Sequence, residues 1–350
     1  MNIKFLFFLL ITFNNVISKL VNYKLLFDKH CIKYQCHFND NEKNIRLDIF
    51  KNNYNIIEEH NKKSNFKLEL NKFSTLTNDE YKNLLGLNKN LLNNNNDNCD
   101  IPKNKFLNNN NLLNNNNNLL NINNILNFDN LLNLDNFNWV DKNKITSVKN
   151  QLECGSCWAF STIGSYENWY AINYGELVDF SEQELVDCDN NDNGCNGGLM
   201  TNGLTYIKNN GICKYNDYEY NGKRNLLCNN KCTKYPKING CINVPSNDNV
   251  SLKNALLQNA ITVAIEADNL YFQHYKSGII DDETKCGNNV DHGVLLVGYG
   301  EENGMKYWLV KNSWGSDWGD KGYVKILRYE NNENNNSGVC GILTMPSYPY

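Results

Sequence analysis

Gln151-Leu152-Glu153-Cys154-Gly155-Ser156-Cys157-Trp158 decides how this chain is read. Two cysteines in a Cys-x-x-Cys spacing suit a redox pair, or half of a four-thiolate zinc site completed by Cys228 and Cys232. Neither use accounts for the tryptophan after the second cysteine. A third use, a nucleophilic thiolate at Cys157, needs a base and a group to orient that base. Downstream, His292 lies in Val290-Asp291-His292-Gly293-Val294 at the start of an expected strand, and Asn312 in Lys311-Asn312-Ser313-Trp314-Gly315 at the end of another. The other four histidines, His30, His37, His60 and His274, have no comparable setting.

Around this segment the composition changes twice. Residues 1–18 carry Lys4, an apolar run from Phe5 to Ile11 and a small residue, Ser18, which together read as a secretory signal peptide. A membrane anchor needs about 20 apolar residues, and this run stops at Asn14. Residues 19–87 are charged and helix-prone. Residues 88–135 are an asparagine-rich linker whose polar runs bury too little to offset ordering entropy. From residue 136 to 350 the sequence is mixed, aromatic and cysteine-bearing, as a folded domain requires. Its first part reads as helical, at 157–170 and after the capping Ser181; its second part, at 261–265, 293–299, 307–311 and 322–327, reads as short strands. The expected class is α+β, a helical lobe followed by an antiparallel sheet lobe, with a helical leader in front.

A net charge of -4 and thirteen cysteines bound the function further. The charge gives no reason to expect a nucleic-acid or membrane-surface partner. Cysteines in an exported chain point to disulfides, which also argues against free zinc-binding thiols. No cofactor and no metal are expected.

The sequence resembles the papain family of cysteine proteases. The likeness rests on the Cys-Gly-Ser-Cys-Trp box at 154–158, Val148-Lys149-Asn150-Gln151, Cys195-Asn196-Gly197-Gly198, Asp291-His292, Val297-Gly298-Tyr299-Gly300, and Lys311 to Gly315 with Trp318-Gly319. It implies a two-lobed fold with a cleft between a helical lobe and an antiparallel sheet or barrel lobe. It implies Cys157 as nucleophile, His292 as its base, Asn312 as the orienting residue under Trp314, and Gln151 with the Cys157 amide as oxyanion donors. By the same resemblance Gly197 and Gly198 line the substrate path. Leu199, Met200, Ala264, Val290, Gly293 and Met345 make an apolar second pocket that favours a bulky hydrophobic side chain. Endopeptidase action on proteins and peptides follows, since nothing resembles the occluding loop of cathepsin B.

The resemblance also implies the disulfides Cys154 to Cys195, Cys188 to Cys228 and Cys286 to Cys340. Cys213 to Cys232 resembles an extra bridge of the malarial falcipains, and Cys241 is left over. In the leader, Glu42, Arg46, Phe50, Asn53, Ile57 and Asn61 fall on one helical face and match the ERFNIN pattern of cathepsin L-like propeptides, which makes the leader an intramolecular inhibitor. Asn71 and Phe73 fit a second propeptide pattern, whereas Glu69 and Thr75 replace its usual Gly and Asp. The product is then a monomeric zymogen of the secretory pathway, lysosomal, vacuolar or extracellular, cut at about residues 130–136. Asn249 and Asn335 stand in glycosylation sequons. A catalytically inactive binding protein of the same fold is the other reading; it is usually marked by loss of Cys157, His292, Asn312 or Gln151, and all four are present.

Overall fold

A computed structural model describes residues 21–94, 99–101, 135–229, 231–330 and 336–350. The signal-peptide segment, most of the linker and the Asn335 sequon lie outside the described residues. Among the described residues no helix is long and apolar enough to cross a membrane.

The leader opens with α1 (Tyr23–Tyr34) and α2 (Asp40–Lys63). Asn39 caps α2 by accepting from the Glu42 amide, with Asp40 and Glu42 in the first turn and Lys62 and Lys63 in the last, so both ends match the helix dipole. The two helices meet through Phe27 and Phe50, ring centroids 5.6 Å apart. Each ERFNIN residue then has a distinct task. Arg46 pairs with Glu42 and Glu80 and donates to the Thr75 carbonyl; Asn53 donates to Ser74 O, and Asn61 exchanges two bonds with Leu68. Phe50 and Ile57 are buried. The polar half of the pattern thus ties α2 to the chain that follows it, strand β1 (Lys67–Leu68) and the capped helix α3 (Asn78–Lys82).

The remainder has two lobes. In the first, α4 (Cys157–Tyr174) is buried along most of its length, α5 (Glu182–Cys188) is capped by Ser181, and α6 (Met200–Asn210) packs on α4. Gly175 ends α4 in the left-handed region at φ 78°, where a side chain would be strained. Lys149 lies between Glu167 of α4 and Glu182 of α5, at 2.7 and 2.8 Å, and ties the two helices.

The second lobe is an eight-stranded sheet. Its strands are β2 (Phe137–Asn138), β3 (Cys241–Asn243), β4 (Ile261–Ile265), β6 (Ile279–Ile280), β7 (His292–Glu302), β8 (Met305–Lys311), β9 (Tyr323–Leu327) and β10 (Ser347–Pro349), in the order β3-β10-β4-β7-β8-β9-β6 with β2 on β7. Helices α7 (Asn249–Leu256) and α8 (Leu270–Gln273) complete the lobe. Of the two forms expected for this lobe, antiparallel sheet or barrel, the sheet is present. The path from β3 to β6 does not close, so the lobe is an open sheet and not a barrel. One pair, β6 with β9, is parallel, because β6 belongs to the crossover before β7 and reaches the far edge.

Leader and enzyme share one hydrophobic core. Ile57, Phe66, Leu68, Phe73, Tyr81 and Leu84 join the cluster that fills the sheet lobe. β1 pairs with β5 (Tyr275–Ser277) of the enzyme, Asn71 donates to Gln273 O, and Tyr81 donates to Ala267 O. Beyond residue 87 the Asn88 amide donates to Gly198 O, and a 3-10 turn covers Lys89–Asn94.

Candidate active site

Cys157 is the first residue of α4, so its sulfur sits at the positive end of an 18-residue helix. The thiol is fully buried and accepts two hydrogen bonds at 3.2 Å, from the amides of Gly293 and of the leader's Gly86. His292 starts β7, and its Nε2 lies 2.8 Å from Asn312 Oδ1. The Ser313 amide donates to that same oxygen, which makes it an acceptor and places the ring proton on Nε2. The Nδ1 lone pair is buried without a hydrogen-bond partner among the described residues and is free to accept a proton. Trp314 stacks on the imidazole at 4.7 Å and 25°, shielding the His292–Asn312 bond from water.

Gln151 supplies the amide opposite. Its Nε2 donates to Cys154 O at 2.8 Å and to the carbonyl of Leu84, a leader residue, at 2.7 Å. Its Oε1 accepts from the Ser313 hydroxyl at 2.6 Å. Ser313 therefore positions both the amide and the histidine's partner, a role unassigned from the sequence although it stands between Asn312 and Trp314. Asp192 was also missed: its Oδ1 holds the Leu199 amide and Asn202, and a Cβ on Gly198 would reach its Cγ at 2.6 Å.

The leader occupies the cleft. Gly86 O accepts from the Gly198 amide, the Asn88 amide donates to Gly198 O, and Leu87 pairs with Gly198 in the parallel sense. Gly197, at φ 102°, lies 3.0 Å from Gly86 O measured from where its Cβ would stand. Leu87 packs against the apolar cluster that holds Met200, Ala264 and Val290, with Met345 also against it. Gly293 leaves room for this: a Cβ there would come within 3.0 Å of Met200 Sδ. Leu199 is buried at the edge of the same cluster.

With the leader seated, burial pushes the Cys157 thiol up to about 11, against the opposing pull of the two amide bonds. Burial likewise lowers His292 to about 4, although its bond to Asn312 works the other way. Desolvation penalises the charged form of each group, so the pair is neutral in this state.

Five disulfides are present: Cys154–Cys195, Cys188–Cys228, Cys213–Cys232, Cys286–Cys340 and Cys99–Cys241. The last corrects the view of Cys241 as unpaired; its partner stands in the asparagine-rich stretch, 142 positions away. Cys154 bonds Cys195 and not Cys157, and Cys228 and Cys232 go to different partners, so the redox and zinc alternatives lose their ligands. Cys31, Cys36 and Cys157 are free. Asn249 is 5% exposed in the folded chain.

A match to the "Papain family cysteine protease" model covers residues 134–350, well over half the chain. This chain belongs to the papain family of cysteine proteases. The protease carries its own inhibitor, since residues 27–81 match the "Cathepsin propeptide inhibitor domain (I29)". It is 42% identical over 318 residues to cysteine proteinase COT44 of Brassica napus, covering 88% of this chain and 89% of that one. With germination-specific cysteine protease 1 of Arabidopsis thaliana it shares 40% identity, covering 88% and 78%. Among solved structures it superposes on digestive procathepsin L 3 of the Tenebrio molitor larval midgut with a TM-score of 0.76 at 30% identity, over 94% of this chain and 99% of that chain. The proform of the ragweed pollen protease Amb a 11 gives 0.73 at 33%, over 93% and 94%. The protease is thus a two-lobed zymogen with its leader in the cleft, and its disulfides suit the secretory pathway.

Proposed function

We propose that the protease hydrolyses internal peptide bonds through a thioacyl-enzyme, with Cys157 as nucleophile. Removal of the leader readmits water to the site, and the thiol then passes its proton to His292 Nδ1, favoured by the α4 N-terminus. The thiolate attacks a substrate carbonyl carbon. The carbonyl oxygen gains the negative charge and is held by Gln151 Nε2 and the Cys157 amide. His292 returns the proton to the departing amine, water attacks the thioester with His292 as base, and the acid leaves.

The observation that carries this reading is the occupancy of the site. The leader presents a carbonyl to Gln151 and an amide to the thiol, the polar groups a substrate would use, while running parallel to Gly198. An extended substrate held in the opposite sense would bond the same Gly198 backbone and put a side chain where Leu87 packs. That apolar site has no carboxylate among Met200, Ala264, Val290, Gly293 and Met345, so it takes a bulky hydrophobic side chain in preference to arginine at the second position before the scissile bond. The leader inhibits by running in the reverse sense and presenting the Gly86 amide to the sulfur. Processing within residues 102–135 releases the enzyme domain from its leader's backbone.

Incubating the precursor at acid pH with Leu-Arg and Phe-Arg reporter peptides, with and without a thiol-reactive epoxide, tests the reading. Epoxide-sensitive cleavage with one label on Cys157 is expected. Cleavage that survives complete labelling of Cys157 removes the nucleophile.

A further inference from the structure

Residues 99–101 lie between the cleft-bound leader and the start of the enzyme domain, and they are fastened to the enzyme three times over. Cys99 is joined to Cys241 of β3. The Asp100 amide donates to Cys241 O at 2.8 Å and its carbonyl accepts from the Asn243 amide at 3.0 Å, so Asp100 extends the sheet beside Ile242 in the parallel sense. Asp100 Oδ2 also accepts from the Tyr350 hydroxyl at 2.6 Å. The next fixed point is β2, where Phe137 and Asn138 pair with Tyr299 and Gly298. Residues 102–135 therefore connect two anchors that both belong to the enzyme surface.

We infer that the Cys99–Cys241 disulfide keeps the leader on the protease after the chain is cut within 102–135, so that processing gives two chains joined by one covalent bond and release needs a second event. This rests on the proposed processing site. The second event is either a further cut between Asn88 and Cys99 or reduction of the bond. In the reductive route a thiolate of a small-molecule thiol attacks one sulfur of the pair and forms a mixed disulfide, expelling the other as thiolate. A second equivalent of the thiol displaces the mixed disulfide, so two thiols are oxidised to their disulfide while Cys99 and Cys241 become free thiols. Cys99 is 8% exposed and Cys241 1%, which slows this attack while the segment stays seated.

The tether changes the strength of inhibition as well as its covalency. Ten residues lie between Asn88, the last leader residue bonded to Gly198, and Cys99, a reach of at most about 40 Å. A nicked leader that lifts out of the cleft is therefore confined near it, at an effective concentration in the millimolar range. An untethered leader at micromolar protein would be about a thousandfold more dilute.

The experiment uses two preparations of the full chain under non-reducing conditions. One is wild type incubated at acid pH; the other is Cys157→Ala nicked by a trace of added protease, with the cut mapped by mass spectrometry. Each is compared with its Cys99→Ser/Cys241→Ser counterpart. In chains nicked within 102–135, leader and enzyme should share one intact mass and split only on reduction. The doubly substituted counterpart should separate on gel filtration at acid pH without reductant. Its epoxide-sensitive peptide cleavage, in the wild-type background, should appear at least tenfold faster. Separation of the nicked Cys157→Ala chains without reduction, or equal activation with and without the two cysteines, overturns the tether. If only the self-processed sample fails, because its cut maps outside 102–135, the processing site is wrong and the nicked arm still decides the tether.

Discussion

Gly86→Ala should open the zymogen without touching the enzyme domain. A Cβ built on Gly86 lies 1.9 Å from the Gly155 carbonyl oxygen, 2.2 Å from its carbon and 2.9 Å from its Cα. All three are backbone atoms. Gly155 cannot retreat, because its own amide is bonded to Cys195 O and it follows Cys154 of the Cys154–Cys195 disulfide. The leader must move by more than 1 Å, since contacts of real Cβ atoms essentially never fall under 3.0 Å. The bonds that lose their geometry are those from Gly86 N to Cys157 Sγ, Gly198 N to Gly86 O, Leu87 N to Asp291 O and Gln151 Nε2 to Leu84 O. At a net contribution of about 1 kcal/mol each, offset where water or a shifted strand replaces a partner, the loss is roughly 2 to 4 kcal/mol. That corresponds to an opening equilibrium about 30 to 1,000 times more favourable. The rate at which a thiol-reactive epoxide labels Cys157 in the intact precursor, at a pH where processing is arrested, reads this equilibrium directly. An unchanged labelling rate in a folded Gly86→Ala precursor would refute the close approach of leader and nucleophile.

Three further outcomes follow from the site. Cys157→Ser should neither process nor cleave peptides, and His292→Ala should lose the roughly hundred- to ten-thousandfold that a positioned base supplies, whereas Asn312→Ala should lose less in kcat because only orientation is removed; equal kcat for Asn312→Ala and the parent removes Asn312 from the machinery. Reporter peptides with Leu or Phe at the second position should exceed an Arg counterpart in kcat/KM by at least tenfold, the scale of about 1 to 3 kcal/mol that one apolar pocket discriminates; parity would mean that the Met200, Ala264 and Val290 cluster is not the pocket. Burial lowers His30 of α1 and His274, which faces Ser74 of the leader, to about 4, so the assembled zymogen binds fewer protons than its separated parts. Stability from these groups is complete above their ordinary value of about 6.5 and is lost as pH falls toward 4, on the order of 1 to 3 kcal/mol each. The melting temperature of a Cys157→Ala precursor should therefore drop less between pH 7 and 4 when His274 is replaced by Gln, and an identical pH dependence would dismiss histidine as an acid trigger in place of the carboxylate missing at Thr75.

Much of this was legible because the chemistry leaves long signals. The strand 261–265 coincides with β4, and the helix expected over 157–170 runs to Tyr174, stopped by Gly175. His292 and Asn312 could be singled out because few residue types can serve a thiol, and the structure brings their side chains together. What escaped were features without periodicity or composition. β3 and β10 have three residues each, and β6 and β2 two, too short for alternation to register. Cys99 and Cys241 are paired by a fold that brings positions 142 apart to a Cα separation of 4.7 Å, and the asparagine around Cys99 hides it in a stretch that looks unstructured. Ser313 and Gly86 matter through what they touch, a carbonyl in one case and a peptide plane in the other. The first contact exists only once the two lobes have met, and the second only once the leader is seated as well.

The sheet order also fixes when this molecule can be finished. β10 is the interior strand between β3 and β4, and it ends at Pro349. Until that residue is made, β3 has no neighbour joining it to β4 and the sheet lobe stays split. The leader, complete by about residue 94, is by then some 255 residues ahead, roughly 13 to 50 seconds of synthesis. Phe73 and Tyr81 rest on Trp314, ring centroids 5.1 and 5.7 Å away, so most of that interval passes before their surface exists. The inhibitor is therefore translated first and seated only once Trp314 and its neighbours are in place, and whatever protects its apolar face until then governs how much protease is recovered.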